Sequence, residues 1–268
     1  MMRARPLLGT LVEISAAGAP DGAIEQAFAA VEQVHGLMSF HEPDSELSRL
    51  NRLAVQAPLP VHPWTYAVVR AALRFHAASD GLFDCTVARE LVDWSLLPDQ
   101  GLAERLPGGM QDVQLLADGR VHFRQPLALD LGGIAKGFAV DMAIQALRRA
   151  GVREACVNAG GDLRVMGGRE QLIHARAPDD PQRLIALGHL ARGAMATSGI
   201  YYSARTHAGR DVSALVDARS RQPLLQARSC TVLAPTCMVA DALTKVLAQV
   251  GDGQSPLLRR FGAVGIVL

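Results

Sequence analysis

Apolar and polar side chains alternate along Thr10-Leu11-Val12-Glu13-Ile14-Ser15, the period-two pattern of a strand with one buried face. From Asp21 the period lengthens. Ile24, Phe28, Val31, Val34 and Met38 fall on one face of a helix, and Asp21 stands where an N-cap would. Residues 39–51, from Ser39 to Asn51, show no period and predict a loop-rich section. A second helix is predicted over 63–78, with Pro63 in its first turn. Val113–Leu116 and Arg120–Arg124 flank Asp118-Gly119, a hairpin signal. Residues 136–150 predict a helix closed by Gly151. Strand patterns then dominate, at 153–158, 162–166, 171–176, 212–217 and 229–234. A helix over 238–250, closed by Gly251, precedes a final strand at 263–268. Strands and helices interleave without a steady βαβ rhythm. That predicts an α+β fold of mixed β-sheets with flanking helices rather than a doubly wound sheet.

Composition narrows the function classes. The 268 residues are 49% hydrophobic and 20% charged, enough to bury a substantial core. A net charge of +1 and the lack of a basic run argue against nucleic acid as a partner. No apolar stretch is long enough to span a membrane. The N-terminal stretch has Arg3 and Arg5 but no long apolar region and no lipobox cysteine. It predicts a cytoplasmic chain, or a periplasmic one if a leader was removed. Cys85, Cys156, Cys230 and Cys237 show no metal-ligand spacing and read as small buried hydrophobes.

The segment richest in chemistry is Leu129 to Asp141, which joins an apolar run to a helical pattern through Asp130, Gly132, Gly133, Lys136 and Gly137. Glycine lets backbone approach a ligand closely, and the amides that open a helix suit phosphate. The loop does not match GxGxxG, which disfavours a dinucleotide-type Rossmann site. Lys136 and Lys245 are the only lysines among 27 basic residues, and Lys245 lies in a second motif-like run, Val239 to Lys245. Their compact charge is one reason to find lysine there; capping or solvating a helix is another.

In order along the chain, several segments resemble the ApbE family. Leu8-Gly9-Thr10 resembles its opening Met-Gly-Thr, and Ser39-Phe40 through Asn51 its serine–x–aromatic-to-asparagine segment. Ser79-Asp80-Gly81-Leu82-Phe83-Asp84 is similar to its Asp-Gly-Ala-Phe-Asp, with Trp94 where its tryptophan falls. The run Asp130–Asp141 matches almost residue for residue. Asn158 to Asp162, Ala196-Thr197-Ser198-Gly199 and Ala240-Asp241-Ala242-Leu243 complete the series, so the likeness covers Leu8 to about Gly251.

The resemblance implies a single ApbE-like, T-fold-like domain over 1–268, in two lobes with the ligand cleft between them. It implies FAD-dependent transfer of FMN to a threonine or serine hydroxyl of an acceptor protein. The acceptor carries an Asp-Gly-x-Ser/Thr-Gly/Ala-Thr type motif. The alternative is a weak or inactive homologue that binds FAD as a carrier or partner. By resemblance, Leu8, Phe40, Gly81, Leu82, Phe83, Asp130, Lys136 and Val216 contact FAD. Gly133, Asp241 and Thr244 are the candidates to hold Mg²⁺. Structural readings stand beside these: a strand-to-helix turn with an ion pair at Asp130, a glycine turn at Asn158–Asp162, and core aromatics at Phe40 and Trp94.

Three departures from the family pattern matter. Lys245 stands four residues after Asp241, where the family has a metal-binding threonine, and an ammonium cannot ligate Mg²⁺. Thr244, one position earlier, would ligate only from a distorted helix start. In Ala214-Leu215-Val216-Asp217-Ala218-Arg219-Ser220-Arg221 the family's histidine, proline and turn glycine are Ala214, Ala218 and Arg221. Phe40 replaces a frequent tyrosine. The first two departures predict weak Mg²⁺ binding and slow or absent transfer.

Overall fold

The computed structural model describes every residue except 104, 105, 181 and 202. Its first half runs β1 (Met2–Leu7), β2 (Thr10–Ala17), α1 (Ala23–Met38), α2 (Glu46–Leu53), β3 (Leu59–Pro60), α3 (Pro63–Ala78), α4 (Ala88–Asp93), β4 (Val113–Leu115), β5 (Arg120–Phe123) and α5 (Ala135–Arg149). Its second half runs β6 (Glu154–Ala159), β7 (Asp162–Met166), β8 (Gln171–Arg176), β9 (Leu184–Leu190), β10 (Gly193–Gly199), β11 (Arg205–His207), β12 (Arg210–Val212), β13 (Ser229–Ala234), α6 (Cys237–Val250), α7 (Pro256–Arg260) and β14 (Val264–Val267). The α+β class expected from the interleaved pattern is the one observed. Two compact units share the chain: Met1–His35, Ile134–Tyr201 and Gln226–Leu268 form the first, Gly36–Gly133 and Tyr202–Leu225 the second.

The first unit is built on a seven-stranded sheet in the order β1-β2-β6-β7-β10-β13-β14, antiparallel at each pairing. Val12, Ile14, Val157, Val165 and Val232 are buried along it. Helix α5 packs on β6 and β7, α6 packs on β10 and β13, and the two helices pack on each other. Leu8 and Gly9, with φ of 56° and 70°, make the two-residue turn between β1 and β2. Gly160 and Gly161, with φ of 62° and 103°, do the same between β6 and β7. A Cβ on Gly160 would drive into Thr10, 3.0 Å from its Cβ, so the two family-like turns sit against each other.

In the second unit Ser45 caps α2 by accepting from Ser48 N at 3.1 Å, and His62 caps α3 by accepting from Trp64 N at 3.1 Å. A three-stranded sheet, β3-β5-β4, and the β11–β12 ribbon complete it.

Helix α3 spans the expected 63–78, and α1 buries Ile24, Phe28, Val31, Val34 and Met38 as its period required. Three readings need correction, and one strand went unpredicted. Helix α1 starts at Ala23 and Gly22 O accepts from Gln26 N, so Gly22, not Asp21, holds the cap position. The loop-rich 39–51 runs into α2, whose short length offers only Leu47, Leu50 and Leu53 as an apolar signal. The strand at 212–217 ends at Val212, with only an isolated bridge from Val216 to Pro223. Strand β1 was not visible because its MRARPL sequence has an exposed, charged pattern, yet six residues of it pair with β2.

Among the described residues no helix is long and apolar enough to cross a membrane. Cys85, Cys230 and Cys237 are buried and Cys156 half-buried, all as free thiols. Burial pushes the Cys156 and Cys230 thiols up to about 11 and Cys237 further. Since the thiolate is the reactive form, a thiol reagent at about pH 8 should titrate the native protein slowly and all four cysteines after denaturation. Rapid native labelling of Cys156 would contradict this burial.

Candidate functional site

The first turns of α5 and α6 are tied together by two aspartates. Asp141 on α5 accepts from Cys237 N and Met238 N, each at 2.9 Å, and so caps α6. Asp241 on α6 accepts from Gly137 N at 2.9 Å and satisfies an opening amide of α5. The helices can approach because position 137 has no side chain. A Cβ there would lie 2.6 Å from Cys237 C and 2.8 Å from Asp241 Cβ. Arg164 Nη1, 2.7 Å from Asp141 Oδ1, balances the capping charge.

Both lysines of the chain fall in this cluster. Lys136 Nζ lies 2.9 Å from Asp162 Oδ2, and Asp162 is almost wholly buried at the head of β7. Lys245 Nζ donates to Asp241 Oδ1 and, at 3.0 Å, to the Asp241 carbonyl one helical turn back. The two pairs feel each other. The Asp162 charge, with Asp241 adding to it, holds the Lys136 ammonium well above its ordinary pKa against the opposing effect of burial. Burial pushes the Asp162 carboxyl up, and the Lys136 charge opposes this. Thr244 is buried; its hydroxyl donates to Asp241 O at 2.7 Å and meets Ser198 Oγ at 2.7 Å.

Within the second unit, three expected segments converge. Asp130 N donates to Cys85 O at 2.7 Å, which sets the glycine loop beside the chain that follows the Gly81-Leu82-Phe83 turn. Arg221 Nε bonds Glu90 Oε1 at 2.8 Å and its Nη2 bonds Thr86 O at 2.6 Å, so the Asp217–Arg221 turn docks on the same segment. Arg221 itself sits at φ 58°, the conformation for which glycine is the easy choice. Its three contacts, with Asp84 Oδ2 at 3.6 Å as the third, account for an arginine in that strained position. Asn51 clamps the loop's entry, with Nδ2 donating to Leu129 O and Oδ1 accepting from Leu129 N, each at 2.9 Å. Asp130 Oδ1 accepts from Gly132 N at 2.9 Å, and Gly133 is half-buried. Phe40 and Phe83 are buried at 3% and 2%, as core aromatics would be. Val216 is half-buried beside Pro223, and Ala214 is exposed with its N–H on Ser203 Oγ at 3.1 Å. Leu8 stands at the β1–β2 turn in the first unit.

Sequence reasoning left out Asp162, Asp141 and Ser198 as working parts. Asp162 had one usable signal: it ends Asn158-Ala159-Gly160-Gly161-Asp162, and an acid that opens a buried strand needs a cation. A divalent cation does not fit the residues present. Asp241 uses Oδ2 on Gly137 N and Oδ1 on Lys245, while Thr244 turns its hydroxyl inward. No group of three His, Cys, Asp or Glu that could hold a metal occurs among the described residues.

The fold and cluster define a class: an α+β protein in which two helix N-termini and two lysine–aspartate pairs meet on an antiparallel sheet. The chain belongs to the ApbE family, matched over residues 8–262. It is 29% identical to the FAD:protein FMN transferase of Vibrio cholerae, over 89% of this chain and 76% of that protein. It is 30% identical to the one from Chlamydia trachomatis, over 89% of this chain and 80% of that protein. The crystal structure of the Thermotoga maritima ApbE protein matches with a TM-score of 0.83 at 25% identity, covering 100% of this chain and 94% of that one. The Vibrio cholerae flavin transferase ApbE matches at 0.75 and 27% identity, covering 92% and 86%.

Proposed function

We propose that this protein transfers FMN from FAD to a serine or threonine hydroxyl of an acceptor protein. The acceptor hydroxyl oxygen attacks the FMN phosphorus, and the bond from that phosphorus to the bridging oxygen breaks. AMP leaves with the bridging oxygen, and the hydroxyl proton passes to solvent. Such a transfer is mainly a matter of positioning and of balancing phosphate charge. The observation that carries the reading is the meeting of Lys136 and Lys245, the chain's only lysines, beside the first turn of α5. An ammonium held charged next to helix-opening amides is suited to a phosphate oxygen. Membership of the ApbE family and relatives named FAD:protein FMN transferase support it.

An acceptor peptide with an Asp-Gly-x-Ser/Thr-Gly/Ala-Thr motif is the partner we infer. Incubated with FAD and the protein, it should become fluorescent on a denaturing gel and gain the mass of FMN less one water. Lys136→Ala should weaken FAD binding roughly tenfold if its bond to phosphate is charge-assisted. FAD binding without labelling of any such peptide would point to a flavin carrier and overturn the transferase reading.

A further inference from the structure

The position that carries Lys245 is occupied by a fixed positive charge, built into the chain and partly open to solvent. Its side chain is 24% exposed, while Asp241, which it holds, has no exposed surface. The ammonium is anchored twice, to the carboxylate and to the carbonyl of the same residue, so it has a defined place rather than a solvated one. Asp241 in turn is fixed by Gly137 N in the first turn of α5, next to Lys136. A buried carboxylate already bonded on both oxygens offers a divalent ion nothing without displacing Lys245. An ammonium and a divalent cation on one carboxylate repel each other directly. The hydroxyl one position before Lys245 is turned to Ser198 and Asp241 O, so no replacement ligand comes from the same turn.

We infer that Lys245 is a resident cation: it takes the place of a divalent metal at Asp241, and FAD binding and FMN transfer proceed without one. The transfer half rests on the function proposed above; the binding half does not. The transfer itself is the displacement already described, with the phosphate charge met by Lys136 and Lys245 instead of by a metal.

The test uses the purified full chain with Mn²⁺ alone as the metal probe and FAD as the ligand. Electron paramagnetic resonance of free Mn²⁺ should show no stoichiometric binding to the native protein. FAD affinity, followed by flavin fluorescence, should be the same in excess EDTA as in Mg²⁺. Lys245→Thr should gain Mn²⁺ binding and make FAD affinity depend on divalent metal. Lys245→Arg, which keeps the charge, should stay insensitive to EDTA. Lys245→Met removes the charge and should weaken FAD binding roughly tenfold in EDTA. Because it also strands buried Asp241, the paired variant Asp241→Asn with Lys245→Met gives the same reading with the charge balance restored. Stoichiometric Mn²⁺ binding by the native protein, loss of FAD affinity in EDTA, or native FAD affinity in the paired variant would each overturn the inference. No acceptor labelling by any variant, with the Mn²⁺ and EDTA results as expected, would sink the transferase reading and leave the resident cation standing.

Discussion

Gly137→Ala is expected to destabilise the fold by about 3 kcal/mol, the upper end for an overpacked core. Helix propensity alone predicts the opposite sign, because alanine in a helix interior is favoured over glycine by up to about 1 kcal/mol. Position 137 decides between these because the added Cβ would meet backbone. Cys237 C would lie 2.6 Å away, and Cys237 O nearer still. A flexible side chain could swing aside, but the first turn of α6 cannot. To relieve the overlap α5 and α6 must separate. That stretches the bond from Gly137 N to Asp241 and those from Cys237 N and Met238 N to Asp141. Urea unfolding followed by circular dichroism measures the change. A variant as stable as the native protein, or more stable, would show that the close approach of the helices is not needed.

This close contact explains what the sequence could and could not reveal. The long helices were legible because Ile24, Phe28, Val31, Val34 and Met38 keep a strict period, and because Gly251 ends α6 at φ 72°. Strand β10 was legible only as a motif. Its sequence, GAMATSG, sets one large residue, Met195, among small ones and carries no clear alternation; the strand is paired on both edges and covered by α6. The reciprocal capping was invisible for a different reason. Nothing in the sequence marks Asp141 or Asp241 as the cap of the other helix; that role exists only once tertiary packing sets one helix start against the other. The family-like motifs located Lys136, Asp162, Ser198 and Asp241 but not the pairing of Lys136 with Asp162 or of Thr244 with Ser198. Asp162, the partner of Lys136, lies beyond a glycine turn, and Ser198, the partner of Thr244, lies on a strand remote in sequence. The pairing of Lys245 with Asp241 follows from spacing alone, since residues four apart share a helix face.

Lys136→Met is expected to cost about 3 kcal/mol at pH 8, the lower end for breaking a buried ion pair, because the lysine side chain is 31% exposed. The cost should depend on pH in a way that identifies Asp162 as its source. In the native protein the Lys136 pKa is raised, so its contribution is fully present below the ordinary lysine range and is lost only in strong alkali. Removing it leaves Asp162 with Lys245 as the more distant positive charge, and with Asp241 and burial both opposing ionisation. The Asp162 pKa in the folded variant must then rise above its already raised native position. A carboxyl whose folded pKa exceeds its unfolded value stabilises the fold below the unfolded pKa, about 4, and loses that contribution as pH rises through the folded value. The variant should therefore approach native stability near pH 5 and fall away toward pH 8, more steeply than the native protein. Adding Asp162→Asn removes the titrating group. The double variant should lose this extra pH dependence and recover part of the stability at pH 8, because an amide buried there needs no cation. Urea unfolding of the native protein, Lys136→Met and Lys136→Met with Asp162→Asn across this range separates the outcomes. A cost that is the same at pH 5 and pH 8 would mean that Asp162 is not the partner whose charge Lys136 balances.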